Sequence, residues 1–335
     1  MPKLTTTRAR APLGATTTKD RRNPPAPPAT SDYVSRPRRD WSTYNDELRD
    51  RPVRTLEVIV DTASTSQWRP RLGRIGRPAY SQAAITACYM LRAVFHLNLR
   101  ATEGLVRSIL ASAGLDPSLA PDYSTLCRAR DRVTLRSPRA VSPVALIDGT
   151  GFSFLTHGPW IQHKWREQRL ASHRFVRVTL TTDAATGAVI ASVVTPESGE
   201  GTGETSQFDE LAGTATGLGA TTMIGDGAYD TKHCYEVSNT HGLRLITPPQ
   251  VNAVFGLHPD RDVTLAQVNR LGTAEWKRRV KYHQRSRVES DIGAAKLCFT
   301  DRVRSRSFEG AKAEVLAALS VLNLWRVGTA GLAAT

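Results

Sequence analysis

The chain has 335 residues, 40% of them hydrophobic, enough for one large domain and a smaller one, each with its own core. Lys and Arg total 45 against 31 acids, a formal charge of +14, which favours polyanionic partners, nucleic acid first among them. No run reaches the roughly 18 apolar residues that cross a bilayer, no apolar leader core follows the charged N-terminus, and the four cysteines, Cys88, Cys127, Cys234 and Cys298, lack any CxxC spacing. A membrane span, a secretory leader, a disulfide scaffold and a structural zinc site are thereby disfavoured. Free thiols in a reducing cytoplasm are expected.

The first 39 residues hold seven prolines, and nine basic residues face only Asp20 and Asp32, a net +7. Such a segment buries too little apolar surface to offset its ordering entropy. Residues 1–45 are therefore expected to form a disordered basic tail that touches phosphates non-specifically. A solubilising tail, or a start codon placed too far upstream, accounts for the composition equally well.

Residues 46–140 read as a small all-α domain. Ala84, Ile85, Cys88, Leu91 and Phe95 recur at helical steps over 81–95. A second helix spans 102–110, stopped by Gly114. A third is expected from Ser124, as N-cap, to Leu135, and it carries Arg128, Arg130 and Arg132. Three short helices with a basic last member suit a helix-turn-helix DNA reader, or a helical platform with a solvated basic face.

From Val144 the pattern turns to strands. An apolar run, Val144 to Ile147, ends at Asp148. An alternating run follows over 175–182, then Gly187 as a turn and a β-branched run over 188–195, together an antiparallel meander. A helix over 205–212, a strand over 221–224 ending at Gly225-Asp226, a helix over 232–240 and a last strand over 243–247 complete the series. The order βββαβαβ, then a helix, is that of an RNase H-like mixed α/β sheet flanked by helices, occupying 141–335. The amphipathic segment 313–325 reads as a core helix.

Asp148 and Asp226 each end a strand next to glycine. Carboxylates at strand ends of an open α/β sheet face the crevice where ligands bind. Two on neighbouring strands repel each other unless a cation lies between them, and hard oxygen ligands suit Mg2+ or Mn2+. Either residue alone reads equally well as a turn aspartate. The third element is the proline-free segment 278–299, read as one helix. Along it Tyr282, Arg285, Glu289, Ile292 and Lys296 follow at steps of three, four, three and four, which puts all five on one face. Such a face offers one carboxylate to a metal site and cations to a phosphate. Taken alone, Arg285 and Glu289 would be an ordinary i,i+4 pair.

Tyr282-x2-Arg285-x3-Glu289-x6-Lys296 resembles the YREK signature of insertion-sequence DDE transposases of the type four and five groups. Asp148-Gly149-Thr150 is similar to their first acidic motif, and Gly225-Asp226-Gly227-Ala228-Tyr229-Asp230 to their second. Asp122 to Arg128 also resembles a stretch upstream of the catalytic domain in the type five group, so the likeness covers roughly residues 70–325. The resemblance implies that Asp148, Asp226 and Glu289 are the catalytic, metal-binding triad for two Mg2+ or Mn2+ ions, with Tyr282, Arg285 and Lys296 positioning the DNA end. It implies a nucleoid-associated enzyme that acts on double-stranded DNA, both the end repeats of its element and the target, as a homodimer on DNA. A nuclease of the same fold without strand transfer, and a non-enzymatic DNA-binding descendant, are the alternatives. The basic surroundings agree: residues 270–306 hold eleven Lys or Arg against four acids.

Several other residues carry less. His157, His163 and His173 match no zinc spacing. Trp160 and Trp165, with Lys164, Arg166 and Arg169, suit either base stacking or hairpin packing. Trp276 precedes the signature segment, but only about 30 residues, 248–277, separate it from the last strand. Some YREK transposases carry a large insertion here, with a Trp that holds a flipped base, so its shortness does not favour a hairpin-forming mechanism. Gly199 to Gly203 lacks phosphate-loop spacing and reads as a loop.

Overall fold

The computed structural model of the chain describes residues 33–36, 40–65, 68–69, 80–155, 175–197 and 199–333. Most of the tail, and the expectations for His157, Trp160, His163, Trp165 and His173, lie outside them.

Four helices lead: α1 (Trp41–Ala63), α2 (Gln82–Val94), α3 (Leu99–Ser112) and α4 (Tyr123–Arg128). Helix α1 begins inside the expected tail, because Asp40 accepts hydrogen bonds from the N–H groups of Ser42 (3.2 Å) and Thr43 (3.3 Å) and so caps it. Ser81 and Asn98 cap α2 and α3 in the same way. The expected helix from Ser124 to Leu135 is shorter and starts earlier. Asp122, not Ser124, is its N-cap, taking the Thr125 N–H at 2.7 Å, and after Arg128 the chain tightens into a 3-10 turn, Arg130–Arg132.

The sheet follows: β1 (Val144–Phe154), β2 (Phe175–Asp183), β3 (Val189–Pro196), β4 (Thr222–Ile224), β5 (Arg244–Ile246) and β6 (Arg302–Val303). Its order is β3-β2-β1-β4-β5, antiparallel among β1–β3 and parallel from β1 to β5, with β6 added beside the far end of β1. Helices α5 (Phe208–Gly217) and α6 (Lys232–Thr240) cover one face, where Phe208, Leu211 and Tyr235 pack against Ile147 and Met223. The other face meets α9 (Ser286–Phe299) and α10 (Phe308–Val327). This is the expected RNase H-like arrangement, a mixed sheet between helices with helices at the N-terminus. The N-terminal helices share that second core, so Ile85 and Leu91 belong to the same apolar cluster as Leu146, Val288 and Leu319.

Three features differ from expectation. Strand β1 does not end at Asp148 but runs on to Phe154, because β2 pairs along its whole length and β6 joins at Ser153. The short segment 248–277, for which the sequence pattern predicts no element, contains α7 (Pro259–Leu271) and the start of α8 (Thr273–Arg279). The segment 278–299 is not one helix. Lys281 adopts a left-handed conformation (φ 56°), a 3-10 turn covers Tyr282–Arg285, and only then does α9 begin. The cost of that conformation in a non-glycine residue, about 1–2 kcal/mol, is offset by tertiary contacts. Gln284 is fully buried, its Oε1 accepting the Val34 N–H at 3.0 Å.

Candidate active site

The register of the sheet brings the two aspartates together. Strands β1 and β4 run parallel with Leu146 opposite Ile224, and that is their last pair. Asp148 lies two residues beyond the first and Asp226 two beyond the second. Asp148 therefore faces the crevice because β4 stops, although its own strand continues. Period two puts it on the same face as Leu146, the face that α9 covers. Asp226 leaves the sheet at the N-cap of the 3-10 turn Gly227–Tyr229, its Oδ1 accepting the Ala228 N–H at 2.9 Å. Gly225 allows the turn to close: a Cβ there would stand 2.7 Å from the Tyr229 ring and 3.0 Å from Ile147.

Glu289 comes from the first turn of α9, with its side chain 56% exposed. That helix is tied from behind. Asp291, two residues on and buried, pairs with Arg36 at 3.0 Å and Arg326 at 3.0 Å. Arg287 also donates to the carbonyls of Val34 (2.7 Å) and Ala184 (3.0 Å).

Arg285 occupies the middle of the site. Its Nη2 lies 3.1 Å from Asp148 Oδ2 and 3.7 Å from Asp226 Oδ2, while Nη1 pairs with Glu289 Oε1. One guanidinium is thus shared by carboxylates from β1, the loop after β4, and α9. Because Asp148 and Glu289 engage different nitrogens of the fork, they are splayed apart. Among the described residues no three carboxylate, imidazole or thiol groups stand close enough to hold one ion in this arrangement. Burial raises the Asp148 carboxyl above its usual range, and Arg285 and the Gly149 N–H pull it back only in part. Burial disfavours the Arg285 charge, but the neighbouring acids outweigh it and hold the guanidinium more firmly protonated.

Tyr282 and Lys296 flank this centre. Tyr282 is half-buried, its ring 6.2 Å from that of Trp276 and 5.0 Å from Lys277 Nζ, and burial pushes its hydroxyl up to about 12. Lys296 Nζ lies 5.5 Å from the Phe152 ring, four residues along β1 from Asp148 and on the same face. Tyr282, Arg285 and the three acids therefore lie within electrostatic reach of one another, while Lys296 sits farther along α9 over the Phe152 ring.

A further pair was not anticipated. Asp230, four residues after Asp226, is buried and takes both prongs of Arg261 from α7, at 2.8 and 2.9 Å, plus the Gln250 N–H at 2.9 Å. It locks the Asp226 loop to the segment 250–271. Pro259 with Asp260 and Asp262 is a legible helix start. The partner of Arg261 is not, because it lies 31 residues away. Of the four cysteines, Cys88 and Cys234 are buried, Cys298 half-buried and Cys127 exposed, and none forms a disulfide. Among the described residues no helix is long and apolar enough to cross a membrane.

Comparison with known families agrees with this architecture. A family model described as a transposase DDE domain matches residues 139–324, more than half of the chain and all of the sheet and the crevice. A second, also described as a transposase DDE domain, matches residues 54–157, which take in the end of α1, α2 to α4 and β1. The chain belongs to the DDE transposases, enzymes of DNA transposition.

Proposed function

We propose that the chain binds the terminal repeats of its mobile element, cuts the DNA there and joins the cut end to a target duplex, working as a homodimer with one copy per end. In this reading Asp148, Asp226 and Glu289 are the acidic triad and Tyr282, Arg285 and Lys296 position the DNA end. The observation that supports it is the gathering of three carboxylates from three separate elements around one positive charge.

The donor set suits a hard divalent cation, because it consists of carboxylates alone. Arg285 already supplies positive charge at the point where such a cation is needed. Asp148, Asp226 and Glu289 would hold two Mg2+ or Mn2+ ions. Bound there, the ions stabilise both the attacking and the leaving oxygen of an in-line displacement at phosphorus. The remaining work belongs to side chains. Released from the acids, the Arg285 fork can take two non-bridging phosphate oxygens, a contact that a point charge cannot imitate. Lys296 places a second positive charge on the same helix. The half-buried Tyr282 hydroxyl stays protonated and able to donate, burial holding its proton.

Labelled duplexes carrying the terminal repeats, incubated with the full chain, Mn2+ and a supercoiled plasmid, test the reading. Cut ends and end-to-plasmid joints are expected. Cutting without joints would reduce the function to that of a nuclease, and neither product would overturn it.

A further inference from the structure

The chain leaves α9 through Thr300 and returns as the two-residue strand β6, from which arginine occupies every second position: Arg302, Arg304 and, in a bend, Arg306. Val303 between them is buried and the three arginines are exposed. Alternation about the buried Val303 places Arg302 and Arg304 on one side, roughly 7 Å apart, the side of Ser153 and not that of Asp148. The segment is fastened to the strand that bears Asp148. Ser153 N–H donates to the Asp301 carbonyl and Leu155 N–H to the Val303 carbonyl, both at 2.8 Å. The five residues from Asp148 to Ser153 place the row about 17 Å along β1 from the crevice.

Beyond the pairing with β1, a half-buried acid takes over. The Glu314 carboxylate accepts the N–H groups of Arg304 (2.7 Å) and Ser305 (2.8 Å) and the Ser305 hydroxyl. Its own charge is met by Arg92 of α2 at 2.7 Å. Glu314 therefore spends its hydrogen bonds on backbone and on Arg92, and the Arg304 and Arg306 side chains are left outward. Among the described residues neither has a carboxylate partner, and Arg302 has only Asp301, 3.9 Å away and exposed. Arg306 and Ser307 face Arg130 and Cys127 of the N-terminal unit across a cleft of about 370 Å3.

This set of cations, starting beside the catalytic strand and ending against the basic turn after α4, is met among the described residues only by the exposed Asp301 beside Arg302. We infer that Arg302, Arg304 and Arg306, continued by Arg130, form a track for the sugar-phosphate backbone of the duplex DNA flanking the cut site. The track runs from the edge of the catalytic sheet to the helical unit. It contacts phosphate rather than bases, so it contributes affinity and register without sequence preference. The inference rests on the DNA-cutting role proposed above.

The test is the salt dependence of binding. The full chain is titrated with a fluorescent 30-base-pair duplex of arbitrary sequence, in EDTA, at several potassium chloride concentrations. The variant is Arg302→Gln/Arg304→Gln/Arg306→Gln. The control is Arg49→Gln/Arg54→Gln/Lys232→Gln, which removes three cations that pair with acids on their own helices. Removing one cation from a phosphate lowers the slope of log affinity against log salt by about 0.9. The variant slope should therefore fall by about 2.7 while that of the control stays near wild type. Arg306→Gln alone should lower it by about 0.9, which keeps the test intact if the triple variant melts early. An unchanged slope in folded variants, or an equal fall in the control, overturns the track while leaving the proposed function standing. A wild-type chain that binds no duplex at low salt overturns that function as well.

Discussion

Arg285 reaches Asp148, 137 residues earlier in the chain, with a 3.1 Å contact between Nη2 and Oδ2, while its other terminal nitrogen holds Glu289. One cation thereby neutralises the acids of a site in which no other described side chain places positive charge between them. In the proposed role it releases them before it takes a phosphate.

This dual engagement gives Arg285→Ala two effects of opposite sign. Cleavage should slow by roughly 10²-fold, the loss typical of one transition-state donor. Mn2+ binding to the DNA-free protein should tighten, because the competing guanidinium is gone. Arg285→Lys should also be slow, since an ammonium offers no fork. Single-turnover rates beside Mn2+ titration followed by electron paramagnetic resonance check both, and weakened Mn2+ binding in Arg285→Ala would rule out competition.

Lys296 stands apart from the acids, over the Phe152 ring. Lys296→Ala should therefore lower the cleavage rate, again by roughly 10²-fold, while leaving Mn2+ affinity within about twofold. A wild-type rate would remove Lys296 from the site.

The Asp230–Arg261 pair holds the loop of Asp226 from behind. Removing one partner of a buried pair costs about 3–5 kcal/mol, so Arg261→Ala should lower the melting temperature by roughly 10 °C. Arg261→Lys should recover little, because Asp230 accepts from two nitrogens of the fork. A melting temperature within about 2 °C of wild type for Arg261→Ala would show that the pair does not fasten the loop.

Gly225→Ala is expected to cost about 1–3 kcal/mol as overpacking against the buried Tyr229 and Ile147. Because the displaced backbone carries Asp226, cleavage should fall more than stability does. Denaturant unfolding compared with cleavage rate separates the two, and a stability loss without a rate loss would mean that Asp226 keeps its place.

Much of this site is legible in the sequence. Apolar runs stopping at Asp148 and Asp226 mark two acids at neighbouring strands, and helical spacing from Tyr282 to Lys296 marks the third. The remainder depends on contacts that no local pattern records. Asp148 resembles a strand end because Gly149 and Gly151 mimic a turn, but both pair with β2, opposite Thr179 and Arg177. A Cβ at Gly151 would meet the Phe175 ring at 3.0 Å, so its glycine serves close packing rather than a turn. The break at Lys281 carries no proline or glycine, since its cause is the burial of Gln284 against the backbone of Val34. An i,i+4 pair with Glu289 is visible for Arg285. Its contacts with Asp148 and Asp226 are not.

The central claim is that Asp148, Asp226 and Glu289 together carry the chemistry. It is tested most directly by cleavage of labelled terminal-repeat duplexes in Mn2+ by Asp148→Asn, Asp226→Asn and Glu289→Gln, with duplex binding measured on the same preparations. Each variant is expected to bind DNA at least as well as wild type, because phosphate contacts come from Lys and Arg, and to cut none of it. Wild-type cutting by any one of the three would contradict the account.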